Sequence, residues 1–456
     1  MRILQVAHTF LPESAGGTEV HTHLLSKALQ DRHQVAICYR IHDKTRPEHE
    51  LVQAEYDGVP VYKLVNNFTW SQGPDWEFFN PAQEIKFAAV LDSFQPDIVH
   101  FHHLGGGLST SLPALVHRRG IPQVLTLHDF WPMCYRSHLL TSEGRLCIGP
   151  EGGLRCVQCW QNGSADARIS VRQRVREVGV RNALRMAPRY LLDVLGVREY
   201  LPPVAYHTTR LMARNTYLRD VVGRFDLLIA PSRFLIQRYV DWGIPAERLH
   251  FIQNGIDPAK FDGLSRALPD NGELQSVYVG SLLAHKGLDV LIDAFNRLTD
   301  APVRLRVYGN TNSTPAIKEY AQALRARNNN PKVSFEGGFP NYEIGKVLSQ
   351  ADVVIAPSIL YENCPMAILE ALYAGRPVVT SNIGGMAELI ADGENGLTFR
   401  VGDAGHLMEK VRLLTERRDM VRELAARIVP PNTIKTVAAE VESLYARLLP
   451  QRNRVG

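Results

Sequence analysis

Glu362 and Glu370, in "YENCPMAILEALYAGRPVV" (residues 361–379), set one acid in a tight turn and a second eight residues later inside an apolar stretch, which raises the question of what shared region they face. Glu362 stands beside Asn363, Cys364 and Pro365, a composition that suits a turn. Glu370 follows Ala367, Ile368 and Leu369, which suits a helix, with Pro365 pre-set for its first turn. Other segments supply what an anion needs. "SAGGTEVHTHLLSKAL" has Gly16-Gly17 ahead of a helix whose Val20, Leu24 and Ala28 form one face. "VGSLLAHKGLDVLIDAF" has Gly280 after a strand and Lys286-Gly287 opening a helix. Free N–H groups at helix starts favour negative charge. A lysine with two helix N-termini is the set that holds a diphosphate when no metal ion neutralises it.

These residues need strands and helices to aim them, and the chain alternates the two. Apolar runs "RILQVA", "QVAICY", "DIVHFH", "QVLTLHD", "FDLLIAPS" and "LHFIQN" form a first series. "SVYVGS", "VRLRVYG", "VSFEGG", "DVVIAPS" and "PVVTSN" form a second. Strands this apolar, separated by helical stretches, indicate parallel sheets covered on both faces. The expected fold is α/β: two doubly wound, Rossmann-like domains facing a cleft. The first spans 1–267, with an insertion at 134–220, and the second spans 270–430. The polar run "LPDNGEL" (268–274) serves as linker, and a helix in 431–456 packs back on the first domain. In such sheets ligands sit beyond the carboxyl ends of the strands.

Composition sets bounds. With 45% hydrophobic and 21% charged residues and a net charge of +4, the chain reads as an ordinary globular protein. The N-terminal apolar run ends at His8, too short for a signal segment, and no apolar span approaches the ~20 residues of a membrane helix. A cytoplasmic location is expected, where clustered cysteines are metal ligands more often than disulfides. No segment reads as a nucleic-acid module.

The order of these segments resembles the family 4 glycosyltransferases, retaining enzymes of the GT-B fold. The resemblance covers most of the chain outside 134–220. It rests on the Gly16-Gly17 loop, "TLHD" with His128, "APS" then "NGID", "HKGLDVLIDAF", the Glu362-to-Glu370 element and "GRPVVTSNIGGMAELI". It implies that Glu370 binds the ribose hydroxyls of a nucleotide sugar and that Glu362 lies against the transferred sugar near its reacting carbon. Backbone N–H groups around Asn363, Pro365, Met366 and Ala367 would hold the diphosphate together with Gly16, Gly17 and Lys286. His128 would close on the sugar from across the cleft. "YGN" with Asn310 and "FEGG" with Glu336 would edge the nucleobase through backbone groups. Where the family commonly has an arginine after the glycine, this chain has Ser281, which supplies a hydrogen bond and no charge. His285 is the nearest replacement.

The implied function is transfer of a sugar from a UDP- or GDP-sugar to a glycan or lipid-linked glycan, in surface polysaccharide or glycolipid synthesis. The same-face route has the leaving phosphate oxygen taking the acceptor's proton; a covalent intermediate through Glu362 is the less favoured route. The chain has no Asp-x-Asp element, so no catalytic metal is expected. Two alternatives share the fold: a sugar-nucleotide epimerase or phosphorylase, and a non-catalytic sugar-nucleotide sensor. A nicotinamide-dependent dehydrogenase is disfavoured because "HLGGGLST" (103–110) lacks the third glycine of the fingerprint.

Two further features fall in the insertion. Four of the six cysteines, Cys134, Cys147, Cys156 and Cys159, cluster there, the last pair as C-x₂-C. That spacing suits a structural zinc, with an iron–sulfur cluster as the alternative. From Ser164 to Arg224 stand twelve arginines, no lysine and five acids, a net +7. Val171, Val175 and Val178 share a helical face beside Arg168, Arg172 and Arg176. Such a segment suits peripheral contact with an anionic inner membrane face, or equally a solvated helix covering the first domain.

Overall fold

The computed structural model describes residues 1–68, 78–150, 156, 157, 159, 203–269 and 272–449, with side chains of the helix Pro203–Gly223 described from Leu211 onward. The chain divides into two compact units. Unit 1 comprises Met1–Ala230, Ile236–Ile252 and Ala438–Gly456, and unit 2 comprises Pro231–Leu235 and Gln253–Val437. Residues 253–267, "NGIDPAKFDG" among them, therefore lie with unit 2.

Unit 1 holds an eight-stranded sheet: β1 Arg2–Ala7, β2 Gln34–Ile41, β3 Leu51–Tyr56, β4 Val59–Val65, β5 Ile98–Phe101, β6 Gln123–Thr126, β7 Leu227–Ala230 and β8 Leu249–Phe251. Their order across the sheet is β3-β4-β2-β1-β5-β6-β7-β8. Every pairing is parallel except the β3–β4 hairpin at the edge. That hairpin turns on Asp57 (φ 49°) and Gly58 (φ 73°), the left-handed pair that a tight two-residue loop requires. The inner strands β5, β6 and β7 are buried at every position, as strands covered on both faces must be. Tyr445 of the C-terminal helix Ile434–Leu448 is buried in unit 1, where its hydroxyl lies 2.5 Å from His100 Nδ1.

Helix Gly17–Gln30 packs on this sheet through Thr22, Leu25, Ser26 and Leu29. Val20, Leu24 and Ala28, the face expected from apolarity, are only half-buried. The inward face is instead chosen by the small hydroxyl residues, whose Oγ atoms bond back to their own helix: Thr22 to Thr18 O at 2.8 Å, and Ser26 to Thr22 O at 2.7 Å.

Unit 2 holds a six-stranded, wholly parallel sheet: β9 Leu274–Val279, β10 Val303–Tyr308, β11 Val333–Gly337, β12 Val353–Ala356, β13 Val378–Ser381 and β14 Gly396–Phe399. The order is β11-β10-β9-β12-β13-β14. Counted from β9 this is 3-2-1-4-5-6, the Rossmann order, with its switch point between β9 and β12. Leaving aside the hairpin strand β3 and the edge strand β8, unit 1 has the same arrangement, with the switch between β1 and β5. Among the described residues no helix is long and apolar enough to cross a membrane.

Candidate active site

At the unit 2 switch point, the loops after β9 and β12 bring their charged residues together. Lys286 Nζ lies 2.5 Å from Glu362 Oε1, and Ser358 donates to the same oxygen at 2.8 Å. Burial alone would raise this carboxyl. The Lys286 charge, the two hydrogen bonds and nearby His285 outweigh burial and hold Glu362 below the usual value. The geometry depends on close backbone contact. Gly287 sits at φ 72° with Pro357 O only 2.0 Å from where a Cβ would be, and Gly385 meets Asn363 O at 1.7 Å in the same sense. The Gly385 N–H donates to Glu362 O at 2.7 Å, fixing the turn that carries the acid.

Helix Met366–Tyr373 follows directly, with Pro365 as its extended N-cap (φ −67°, ψ 122°) rather than a first-turn residue. Pro365 O accepts from Ile368 and Leu369, while the N–H groups of Met366 and Ala367 stand at the open end of the helix. Glu370 is one turn further on and 4% exposed. Among the described residues it forms an ion pair with Lys260, Nζ to Oε1 at 3.6 Å, itself held by Asn341. Here burial wins: desolvation pushes Glu370 up to about 7, with Lys260 opposing. Asn310 and Glu336, expected at the nucleobase, are exposed beyond β10 and on β11, and Glu336 accepts from Ser334 at 2.5 Å. Ser281 is exposed, and its carbonyl accepts from the Tyr278 hydroxyl at 2.9 Å.

At the unit 1 switch point the residues are of a different kind. His8 follows β1, His102 and His103 follow β5, His128 follows β6, and His21 looks in from helix Gly17–Gln30. His102 Nε2 donates to Gln5 Oε1 at 2.7 Å, and its Nδ1 lies 3.2 Å from His128 Nε2. His100, inside β5, joins Thr126 at 2.7 Å. Burial first, then the neighbouring imidazoles, holds His102 and His128 well below the usual histidine range. Burial takes His21 to about 4, and burial with His103 takes His8 to about 3. The 3.6 Å approach of His8 to Glu19 is therefore a contact of a neutral ring at neutral pH. Gly16 is extended (φ −82°, ψ 176°), not left-handed. It is glycine because Glu19 Oε2 lies 2.6 Å from where its Cβ would be, and that carboxylate also accepts from Thr9 and Ser14. Gly17 opens the helix with no heavy atom near its Cβ position.

The four clustered cysteines line one cavity of unit 1 together with Leu139, Ile148 and Leu211. Burial, then nearby Cys134, Cys147 and Cys159, pushes the Cys156 thiol up to about 12. The Cys147 thiol donates to Gly149 O at 3.3 Å. Four half-buried thiols around one cavity are a donor set that suits a thiophilic cation. Of the arginine-rich stretch, 164–202 lies outside the described residues, Val171, Val175 and Val178 included.

Reading by residue type passed over Lys260 and Ser358, the partners of the two glutamates, and His21 and His102 beside His128. Lys260 sits in "NGIDPAKF", where a lone lysine carries no spacing signal. The histidines did carry one: "EVHTH" and "VHFHH" place imidazoles at a helix start and a strand end.

Two doubly wound units, one with a lysine-paired glutamate at its switch point, define a protein of the GT-B architecture. Residues 15–180 and 200–260 match the description "Glycosyltransferase Family 4", and residues 265–431 match "Glycosyl transferases group 1". A glycosyltransferase of Methanocaldococcus jannaschii, MJ1607, itself uncharacterized, is 30% identical over 87% of this chain and 84% of its own length. The glycogen synthase of Mycobacterium tuberculosis is 24% identical over 98% of this chain and 94% of its own. Among solved structures, Anabaena HepE in complex with UDP and glucose aligns with a TM-score of 0.63 at 16% identity, covering 98% of this chain and 99% of that one. The chain belongs to the family 4 glycosyltransferases.

Proposed function

We propose that the chain transfers a sugar from a UDP- or GDP-sugar to a glycan or lipid-linked glycan with retention of anomeric configuration. The observation that carries this reading is the pair of glutamates with opposite charge environments on one strand–turn–helix. Glu362, kept ionised by Lys286 and Ser358, suits a site where positive charge develops at the sugar carbon. Glu370, buried and one turn along the helix, suits two adjacent ribose hydroxyls. The open N–H groups of Met366 and Ala367 suit the diphosphate, with Lys286 as its cation. His128 is assigned to the transferred sugar. The HepE complex with UDP and glucose and the glycogen synthase relative support a nucleotide-sugar donor and a polysaccharide setting.

In the proposed step the bond from anomeric carbon to diphosphate oxygen breaks. The acceptor hydroxyl attacks from the same face, and its proton passes to the departing phosphate oxygen. The chain's residues hold the donor, stabilise the charge at carbon and shield the phosphate. The four cysteines are proposed to hold a structural zinc, with an iron–sulfur cluster as the alternative. Such an ion would brace the insertion without entering the reaction. Peripheral contact of 164–224 with an anionic membrane is proposed from its net +7.

Thermal shift against UDP-, GDP- and ADP-sugars identifies the donor, since a bound ligand raises apparent stability. Proton NMR of the product formed on an added glycan acceptor then reads the anomeric configuration. An inverted product, or turnover of the sugar nucleotide to an epimer with no acceptor present, overturns the reading.

A further inference from the structure

Three histidines of unit 1 converge. One ring nitrogen from each of His21, His102 and His128 falls within 4.8 Å of the other two, a group of possible metal ligands among the described residues. The three come from three separate elements: helix Gly17–Gln30, the end of β5 and the end of β6. Such convergence is fixed by the fold and not by local sequence.

The details fit a cation. Zinc–nitrogen bonds of 2.0–2.1 Å at the tetrahedral angle place neighbouring ligand atoms about 3.3 Å apart. His102 Nδ1 and His128 Nε2 are 3.2 Å apart. Gln5 Oε1 accepts the Nε2 proton of His102, which leaves the Nδ1 lone pair directed at the group. An outer hydrogen bond of this sort fixes the tautomer of a metal-bound imidazole. Independently, His21 Nδ1 is buried with no hydrogen-bond partner, and the residue is only 5% exposed. An orphaned nitrogen in a buried polar site calls for an unrecorded partner. Three imidazoles and no carboxylate in the set select a borderline divalent ion of the zinc class over magnesium or calcium. Three protein ligands also leave a fourth position open.

We infer that unit 1 carries a divalent transition-metal site formed by His21, His102 and His128, with Gln5 supporting His102. It is distinct from the cysteine cluster in its ligand chemistry. It rests on the proposed transferase reading only in sharing His128, which an ion there would engage through one ring nitrogen.

Cobalt(II) serves as the probe, titrated into the metal-stripped full chain and into Cys156→Ser. The expected result is one tightly bound cobalt with visible d–d bands in each, in addition to any ion that the parent's cysteines hold. These d–d bands persist in Cys156→Ser while thiolate-to-metal charge transfer falls, which separates this ion from any held by cysteine. His21→Ala loses that ion, and Gln5→Ala weakens it by about 10–100-fold. Should His21→Ala not fold, X-ray absorption of zinc-loaded Cys156→Ser decides, with a nitrogen-and-oxygen first shell expected. Cobalt bound only with thiolate bands, or an ion equally retained in folded His21→Ala, overturns the site. None of these readouts uses a sugar nucleotide, so a failed donor assay and a failed metal site are told apart.

Discussion

The two units share one strand order around one switch point, yet they fill it with opposite chemistry. Unit 2 collects charges: Glu362 against Lys286, and Glu370 near Lys260. Unit 1 collects imidazoles that burial holds neutral, bonded to one another, to Gln5 and to Thr126. Identical topology fixes where side chains converge, at strand ends beside the switch, and leaves open what converges there. Even within unit 2 the balance is local. Glu362 and Glu370 are eight residues apart, and desolvation is the largest influence on both. A lysine at 2.5 Å with a serine at 2.8 Å overcomes it for Glu362, whereas a lysine at 3.6 Å does not for Glu370. The closer lysine, the serine hydrogen bond and His285 lower Glu362, while Glu370 keeps its proton more tightly.

The largest test of that contrast is Glu362→Gln. It keeps the shape and removes the charge, so kcat should fall by about 10²–10³-fold while sugar-nucleotide affinity stays near the parent value. Glu370→Ala should do the reverse, weakening sugar-nucleotide binding by about 10–100-fold through lost hydrogen bonds to a charged group, with a smaller change in kcat. Isothermal titration of each variant, beside turnover, reads both quantities. Equal effects of the two substitutions on affinity would erase the distinction between the acids. Gly287→Ala probes the scaffold under Lys286. At φ 72°, with Pro357 O 2.0 Å from its Cβ position, the alanine should destabilise unit 2 by about 2 kcal/mol. Urea unfolding measures it, and an unchanged midpoint would show that the loop after β9 shifts freely.

How far the sequence announced this depends on the kind of signal. The parallel strands were readable because β5, β7, β9, β12 and β13 are short apolar runs with turn residues at their ends. Two elements escaped for definite reasons. The β3–β4 hairpin has exposed, polar positions in "LVQAEY", although its Asp57-Gly58 turn was plain to see. β14 is "GLTF", in which glycine and threonine break the apolar run. The glutamate spacing was legible because a turn and a helix start each have a composition. The partners that set their charge were not, since Lys260 and Ser358 reach them through tertiary contact alone. The convergence of His21, His102 and His128 likewise exists only once three separated elements are adjacent.

The smallest expected effect is also the sharpest comparison of the two units, because it sets a titrating site beside a silent one. Glu370 has a folded-state value of about 7, against 4.5 for the free side chain. Between those values the folded chain keeps a proton that the unfolded chain releases. The stabilisation is therefore complete below about pH 4.5 and is lost as pH rises through about 7. Ribose hydroxyls donate to the ionised carboxylate, so binding should require that the proton leave. Between pH 6 and pH 8 the affinity for a sugar nucleotide should rise about tenfold. A sugar nucleotide is the right probe because its esterified diphosphate does not titrate in this range, as the terminal phosphate of a free nucleoside diphosphate does. Glu370→Gln should flatten the dependence. The unit 1 histidines should add nothing to it, since His8 and His21 are held near 3 and 4, and His102 and His128 well below the usual range. Titration calorimetry in two buffers of different ionisation enthalpy counts the released proton directly. Proton release near pH 6.5 that persists in Glu370→Gln would move the titrating group elsewhere.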